Sequence, residues 1–269
     1  MRRNMIVIGE KINSTRKSIK EAIAKKDASY LQKLARDQAQ AGADYLDVNT
    51  GAFPEEEVRL MEWLVQIINQ AVDLPLALDS ANPAALEAGL KAIADNTRPI
   101  INSITAENAK FREVVPLVLK YEASVLALAL DDDGISKTVE ERFGVAQRLI
   151  EALCAAGVEQ NRIFLDPLIQ PISVQNDFGL IAIEVIRRVK QQFPEVKTTC
   201  GLSNISFGLP QRAKLNRYFL AMAVAAGLDS AILDPLDREL MDAVNVSEAL
   251  SGKDRFCKNY IKAYRQGRA

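Results

Sequence analysis

The sequence predicts an α/β protein, a single closed (β/α)8 TIM barrel over residues 1–269 with a helical extension at its C-terminus. Three observations carry this expectation. Eight short apolar runs recur along the chain, each ending in a polar residue, and segments of helical period separate them. The length of 269 residues suits one such barrel, which needs about 250. No linker, low-complexity stretch or shift of composition divides the chain, so it reads as one domain.

The strand candidates, in order, are MIVIGE (5–10), YLDVN (45–49), LPLALDS (74–80), PIINSI (99–104), SVLALAL (124–130), IFLDPL (163–168), TTCGLSN (198–204) and SAILDP (230–235). Most are too apolar for a face in water, which indicates parallel strands covered on both sides. Between them, PEEEVRLMEWLVQIINQAV (54–72) reads as a helix with proline and three acids in its first turn. NPAALEAGLKAIADN (82–96), KTVEERFGVAQRLIEALCAAG (137–157) and KLNRYFLAMAVAAG (214–227) are also helical, and the last two stop at glycine. Strand–helix units in series with right-handed crossovers close into a barrel. The competing open sheet normally carries a glycine-rich phosphate loop after its first strand, but GEKINSTRKS offers a single glycine there. The basic tail KDRFCKNYIKAYRQGRA (253–269) reads as an added helix with a solvated face.

Composition narrows the function. A net charge of −1 gives no basic field, so neither nucleic acid nor an anionic membrane is an expected partner. MRRNMIVIGE meets an acid too early for a signal peptide, and no apolar run approaches the 18 or so residues of a spanning helix. Cys154, Cys200 and Cys257 are scattered, which fits a reducing cytoplasm better than a disulfide framework. The chain has no histidine at all. That excludes serine–histidine and cysteine–histidine nucleophiles and removes the commonest metal ligand, so no bound catalytic metal is expected.

Active sites of such barrels lie at the C-terminal strand ends. Those ends are Glu10 and Asn13, Asp47 and Asn49, Asp79, Asn102, Asp131, Asp166, Ser203 and Asn204, and Asp234. Acids, amides and serine are also ordinary caps and turn residues, and at any single position that explanation competes. Asp79 and Asp166, however, stand in or directly after apolar runs, where a carboxylate is costly unless paired. No lysine or arginine at neighbouring strand ends is expected to pair with them. A ring of uncompensated acceptors suits a ligand rich in N–H donors. A pterin, with its exocyclic amine beside a ring N–H, is one; a guanidinium or a purine is another.

LDS (78–80), INS (101–103), LDPLI (165–169) and GLSNIS (201–206), in this order, resemble the pterin-binding methyltransferases that use methyltetrahydrofolate and a corrinoid protein. IGEKIN (8–13), LDVN (46–49), MEWLV (61–65) and NRYFLAMAVAAGLDSAI (216–232) extend the likeness over nearly the whole chain. The folate domain of cobalamin-dependent methionine synthase and dihydropteroate synthase are more distant relatives. The resemblance implies that Asp79, Asn102 and Asp166 hold the pterin, with Glu10, Asn13, Asp47, Asn49 and Ser203 around it. It implies that the Asn204 amide reaches N5 of the folate, and that Arg212 either orients the folate tail or caps its own loop. It further implies a homodimer, tetrahydrofolate as substrate and a corrinoid (cobalamin) on a separate partner protein. A lower-ligand motif for cobalt would need a histidine that this chain lacks. A dihydropteroate synthase-like condensation is the alternative, weakened by the missing arginine–histidine pair, and a non-catalytic folate-binding barrel is a third reading.

Other signals have simpler readings. DDDG (131–134) lacks the ligand spacing of a calcium loop and reads as a capped turn. Lys11 and Lys197 do not sit where a Schiff-base lysine belongs, Cys200 reads as core, and Trp63 reads as packing.

Overall fold

The computed structural model describes residues 3–94 and 97–265. The last two residues of the 82–96 helix and the last four of the basic tail lie outside them. In chain order the elements are β1 (Ile6–Asn13), α1 (Lys17–Ala24), α2 (Ala28–Gln40), β2 (Tyr45–Asn49), α3 (Glu57–Asn69), β3 (Leu76–Asp79) and α4 (Pro83–Ala92). There follow β4 (Ile100–Thr105), α5 (Asn108–Lys120), β5 (Ser124–Leu128), α6 (Val139–Ala155), β6 (Ile163–Asp166) and α7 (Phe178–Gln192). The last are β7 (Lys197–Thr198), α8 (Arg212–Ala226), β8 (Ser230–Leu233), α9 (Arg238–Leu250) and α10 (Lys258–Arg265).

All strand pairs are parallel, in the order β7-β6-β5-β4-β3-β2-β1-β8. The ring closes between β7 and β8 through Asp229 N–H to Thr198 O (3.2 Å) and Ile232 N–H to Cys200 O (2.9 Å). The expected barrel is therefore present, not the open sheet.

Alternation along the strands sorts the side chains into two cores. One set packs outward against the helices, including Val7, Leu46, Leu78, Ile101, Val125 and Leu165. Ile8, Ala77, Ile100, Leu126 and Phe164 form the second, inside the barrel, with Tyr45, Leu128 and Ile232 against them. Stepping two residues further along β2, β3, β4 and β6 from the inner positions brings Asp47, Asp79, Asn102 and Asp166 to the mouth. The period that fills the barrel thus also places the polar ring on its upper rim.

Two local expectations need correction. Helix α3 starts at Glu57, so Pro54, Glu55 and Glu56 form a turn before it, and only one acid stands in its first turn. The 198–204 segment is a strand only at Lys197–Thr198. After Gly201 it becomes a 3₁₀ turn, Leu202–Ser206, closed by Asn204 N–H to Gly201 O (3.2 Å). By contrast α4 begins as expected, with Asn82 accepting from Ala84 N–H and Pro83 at the first helical position. α6 and α8 lead into Gly157 (φ +99) and Gly227 (φ +118), the left-handed stops that glycine allows.

Candidate functional site

The mouth is organised around one row of the sheet. Asn49, Asp79 and Asn102 are register partners across β2, β3 and β4. Ser14 Oγ (2.7 Å) and Gly51 N–H (3.1 Å) both donate to Asn49 Oδ1, which fixes the orientation of the amide. Its Nδ2 must then face the sheet, where it donates to Asp79 Oδ2 at 2.9 Å. Asn102 Nδ2 donates to Asp47 Oδ1 at 3.0 Å. Each of these acids is therefore held by a neutral amide instead of a cation.

That choice shapes the electrostatics. Burial pushes Asp47 well above the usual carboxylate range, and the nearby charge of Asp79 adds to it, while the Asn102 amide pulls the other way. Burial also raises Asp79, with the Asn49 bond opposing and Glu57 reinforcing. Asp166, 6% exposed, is pushed up to about 6 by burial, even though it accepts backbone N–H groups of Leu168, Gly201 and Ile169 and faces Arg142. Arg142 is fully buried and spends its guanidinium on the carbonyls of Ser136, Pro167 and Leu168. It shapes the loop after β6, whose Leu168 has φ +57, more than it neutralises Asp166.

The rest of the ring is not uncompensated, which corrects the sequence reading. Arg16 Nη2 lies 2.6 Å from Glu10 Oε1, and Lys11 Nζ lies 2.7 Å from Asp234 Oδ2. Arg148 draws Asp131 (2.9 Å) out to the flank, where it lines a cavity of about 450 Å³ between α5 and α6 with Asn108 and Phe111. These long side chains reach the rim from positions that an ordered list of strand ends does not show. Glu10 is still raised, chiefly by burial and against the pull of Arg16. Asn13 is used locally, its Oδ1 accepting from Thr15 N–H (3.0 Å) and Oγ1 (2.7 Å), so it is a turn residue. The DDDG segment is a turn closed by Gly134 N–H to Asp131 O (2.9 Å). Cys200 is buried in the outer core and Trp63 packs against it. Among the described residues no three His, Cys, Asp or Glu side chains are grouped to hold a metal ion, and no helix is long and apolar enough to cross a membrane.

Across the mouth from the row stands the 3₁₀ turn with Ser203 and Asn204. Arg212 donates through Nη2 to Ser203 O (2.7 Å) and through Nε to Ser206 Oγ (3.2 Å), and Ser206 Oγ donates to Asn216 Oδ1 (2.7 Å). Of the two roles open to Arg212, this geometry favours clamping the turn. The Asn204 side chain is exposed and makes no hydrogen bond among the described residues. Helix α8 starts at Arg212 after Gln211, so Asn204 does not cap it. A Cβ on Gly201 would lie 3.1 Å from Asn204 Nδ2. Glycine there lets the amide fold over the same residue whose N–H holds Asp166. A free amide and a buried carboxylate thereby meet at Gly201.

The raised acids have a cost that can be measured. A carboxylate raised on folding stabilises the protein fully below its ordinary range, and that contribution is lost as pH rises through the raised value. Asp79→Asn keeps the bond to Asn49 and removes the charge. It should melt a few degrees above the wild type at about pH 8, an advantage fading toward about pH 4. Scanning calorimetry of the free protein across this range is the check; a variant equally destabilised at every pH would contradict it.

Comparison with known proteins shows the family. The model of the pterin binding enzyme family matches residues 9–234. The chain is 36% identical to the methylcorrinoid:tetrahydrofolate methyltransferase of Eubacterium limosum, over 98% of this chain and 97% of that protein. It is 35% identical to methionine synthase of Mycobacterium tuberculosis over 86% of this chain but only 20% of that longer protein. In fold it is similar to Yersinia pestis dihydropteroate synthase in its sulfonamide complex, with a TM-score of 0.71 at 15% identity over 93% of this chain and 95% of that one. The chain belongs to the pterin binding enzyme family.

Proposed function

We propose that this protein is a methyltransferase that moves a methyl group between N5 of tetrahydrofolate and the cobalt of a corrinoid protein. The observation that carries the reading is the set of acids formed by buried Asp47 and Asp166 and half-buried Asp79, held only by amides and backbone N–H groups. Such acceptors fit the donor edge of a pterin, whose adjacent amine and ring N–H match the two oxygens of a carboxylate. The extent of the likeness to the Eubacterium limosum enzyme supports the rest.

The residues divide the work. Asp166 and Asp79 bind the donor edge, and Asn102 holds Asp47 in place beneath it while offering the mixed edge of its own amide. Asn49, fixed by Ser14 and Gly51, keeps Asp79 in position. Asn204 stands free to hydrogen-bond N5, clamped by Arg212 through Ser203 and Ser206. A tertiary amine is a poor leaving group, so N5 needs a hydrogen bond as its methyl bond breaks, or as it forms in the reverse direction. A neutral amide gives that without titrating, which suits a chain with no histidine. The corrinoid supplies the metal chemistry, and this chain supplies position.

We assign the corrinoid to a separate partner, because the chain has no histidine to place beneath a cobalt. A homodimer and a cytoplasmic setting complete the proposal. Exposed Leu180 on α7 and Tyr218 and Met222 on α8, which pack side by side, offer an apolar face for the dimer. Three free cysteines fit a reducing compartment.

Two substitutions separate binding from chemistry. Asp166→Ala should abolish tetrahydrofolate binding, since removing one partner of a charge-assisted pair costs on the order of 2–5 kcal/mol. Titration calorimetry giving the wild-type dissociation constant would sink the assignment. Asn204→Ala should retain most folate affinity and the wild-type melting temperature but lose about 10²–10³ in single-turnover methyl transfer. Transfer at the wild-type rate with a methylated corrinoid protein would remove Asn204 from the mechanism.

A further inference from the structure

Thr199 is completely buried, and its hydroxyl has no hydrogen-bond partner among the described residues. Its place in the barrel is defined by the ladder. Phe164 pairs with Lys197 and Leu165 with Thr198, and Thr199 N–H continues the series by donating to Leu165 O at 2.8 Å. Thr199 therefore stands alongside Asp166. Its neighbours give its direction. The ammonium of Lys197 lies 5.0 Å from the centre of the Phe164 ring inside the barrel, whereas Cys200 packs in the outer core. By alternation Thr199 faces inward, on the same side as Asp166. Gly201, two residues on, already donates its N–H to that carboxylate.

A buried hydroxyl without a partner is destabilising, and valine would fill the same space with the same β-branched shape. The hydroxyl is a liability unless another state of the site uses it. We propose that Thr199 is a positioning residue for Asp166, its hydroxyl turning to donate to the carboxylate when Asp166 is ionised against the donor edge of the ligand. This rests on the proposed pterin-binding role of Asp166. The titratable and charged groups near Asp166 are Arg142 from α6 and Cys200 from the segment after β7. Arg142 is committed to loop carbonyls and Cys200 points to the outer core, so neither is placed to serve as this extra donor.

The test is titration of Thr199→Val and Thr199→Ser with tetrahydrofolate by calorimetry between about pH 5 and pH 8. Thr199→Val should bind about tenfold more weakly, the loss expected of one hydrogen bond to a charged group. Its acid limb of binding should move to higher pH, because ionised Asp166 has lost a donor, while its melting temperature equals or exceeds that of the wild type. Thr199→Ser should keep both affinity and pH profile. Thr199→Val matching the wild type in both would overturn the inference, and Thr199→Ala against Thr199→Ser gives the same comparison should the valine variant fold poorly. Asp166→Asn, measured in parallel, separates the levels. Full affinity in Asp166→Asn would remove the role of Asp166 and this inference with it. Lost affinity there, beside wild-type behaviour of Thr199→Val, would remove this inference alone.

Discussion

The mouth of this barrel depends on carboxylates buried without cations. Desolvating an acid is expensive, and proteins usually offset the cost with a lysine or arginine. Here Glu10, Asp131 and Asp234 take that course, while Asp47 and Asp79 are given amides and Asp166 mainly backbone N–H groups. An amide holds a carboxylate in place without satisfying its charge. Such acceptors suit a ligand whose edge consists of N–H donors. Stability is given up for readiness to bind, as is usual where a site must be preorganised.

Geometry follows from the same constraint. A carboxylate can be kept in this condition only if its surroundings are rigid, and each one is fixed by an element with little freedom. Asn49 is locked by Ser14 and Gly51, so its amide cannot flip away from Asp79. The loop after β6 is pinned by fully buried Arg142. The turn carrying Asn204 is clamped by Arg212, Ser206 and Asn216, and among the described residues the Asn204 amide has nothing to hold. A neutral hydrogen-bonding group beside a fixed binding pocket is what methyl transfer at a tertiary amine requires of the protein.

Much of this was legible in the sequence, for physical reasons. The apolar runs and their polar ends follow from parallel strands buried on both faces, and the inner alternation puts Asp47, Asp79, Asn102 and Asp166 where the runs end. What stayed hidden depended on side-chain reach and on local turns. Lys11 meets Asp234 across the β1–β8 seam, 223 positions away, and nothing in the order of motifs signals that pairing. Strand β7 is short because the chain turns at Gly201, although its apolar composition runs on to Leu202. Arg142 looks like any charged residue on an amphipathic helix until the fold buries it. Asn13 fits the pattern of strand-end amides, yet its own turn consumes it.

Proton exchange on binding tests the central claim most directly. If buried acids raised toward neutrality meet the donor edge of the ligand as carboxylates, they must shed protons as it binds. Asp166, at about 6, would be partly protonated in the free protein near that pH. Calorimetric titration with tetrahydrofolate at about pH 6, in two buffers of different ionisation enthalpy, counts those protons. Net release is the expected result; binding with no proton exchange, or with net uptake, would contradict it.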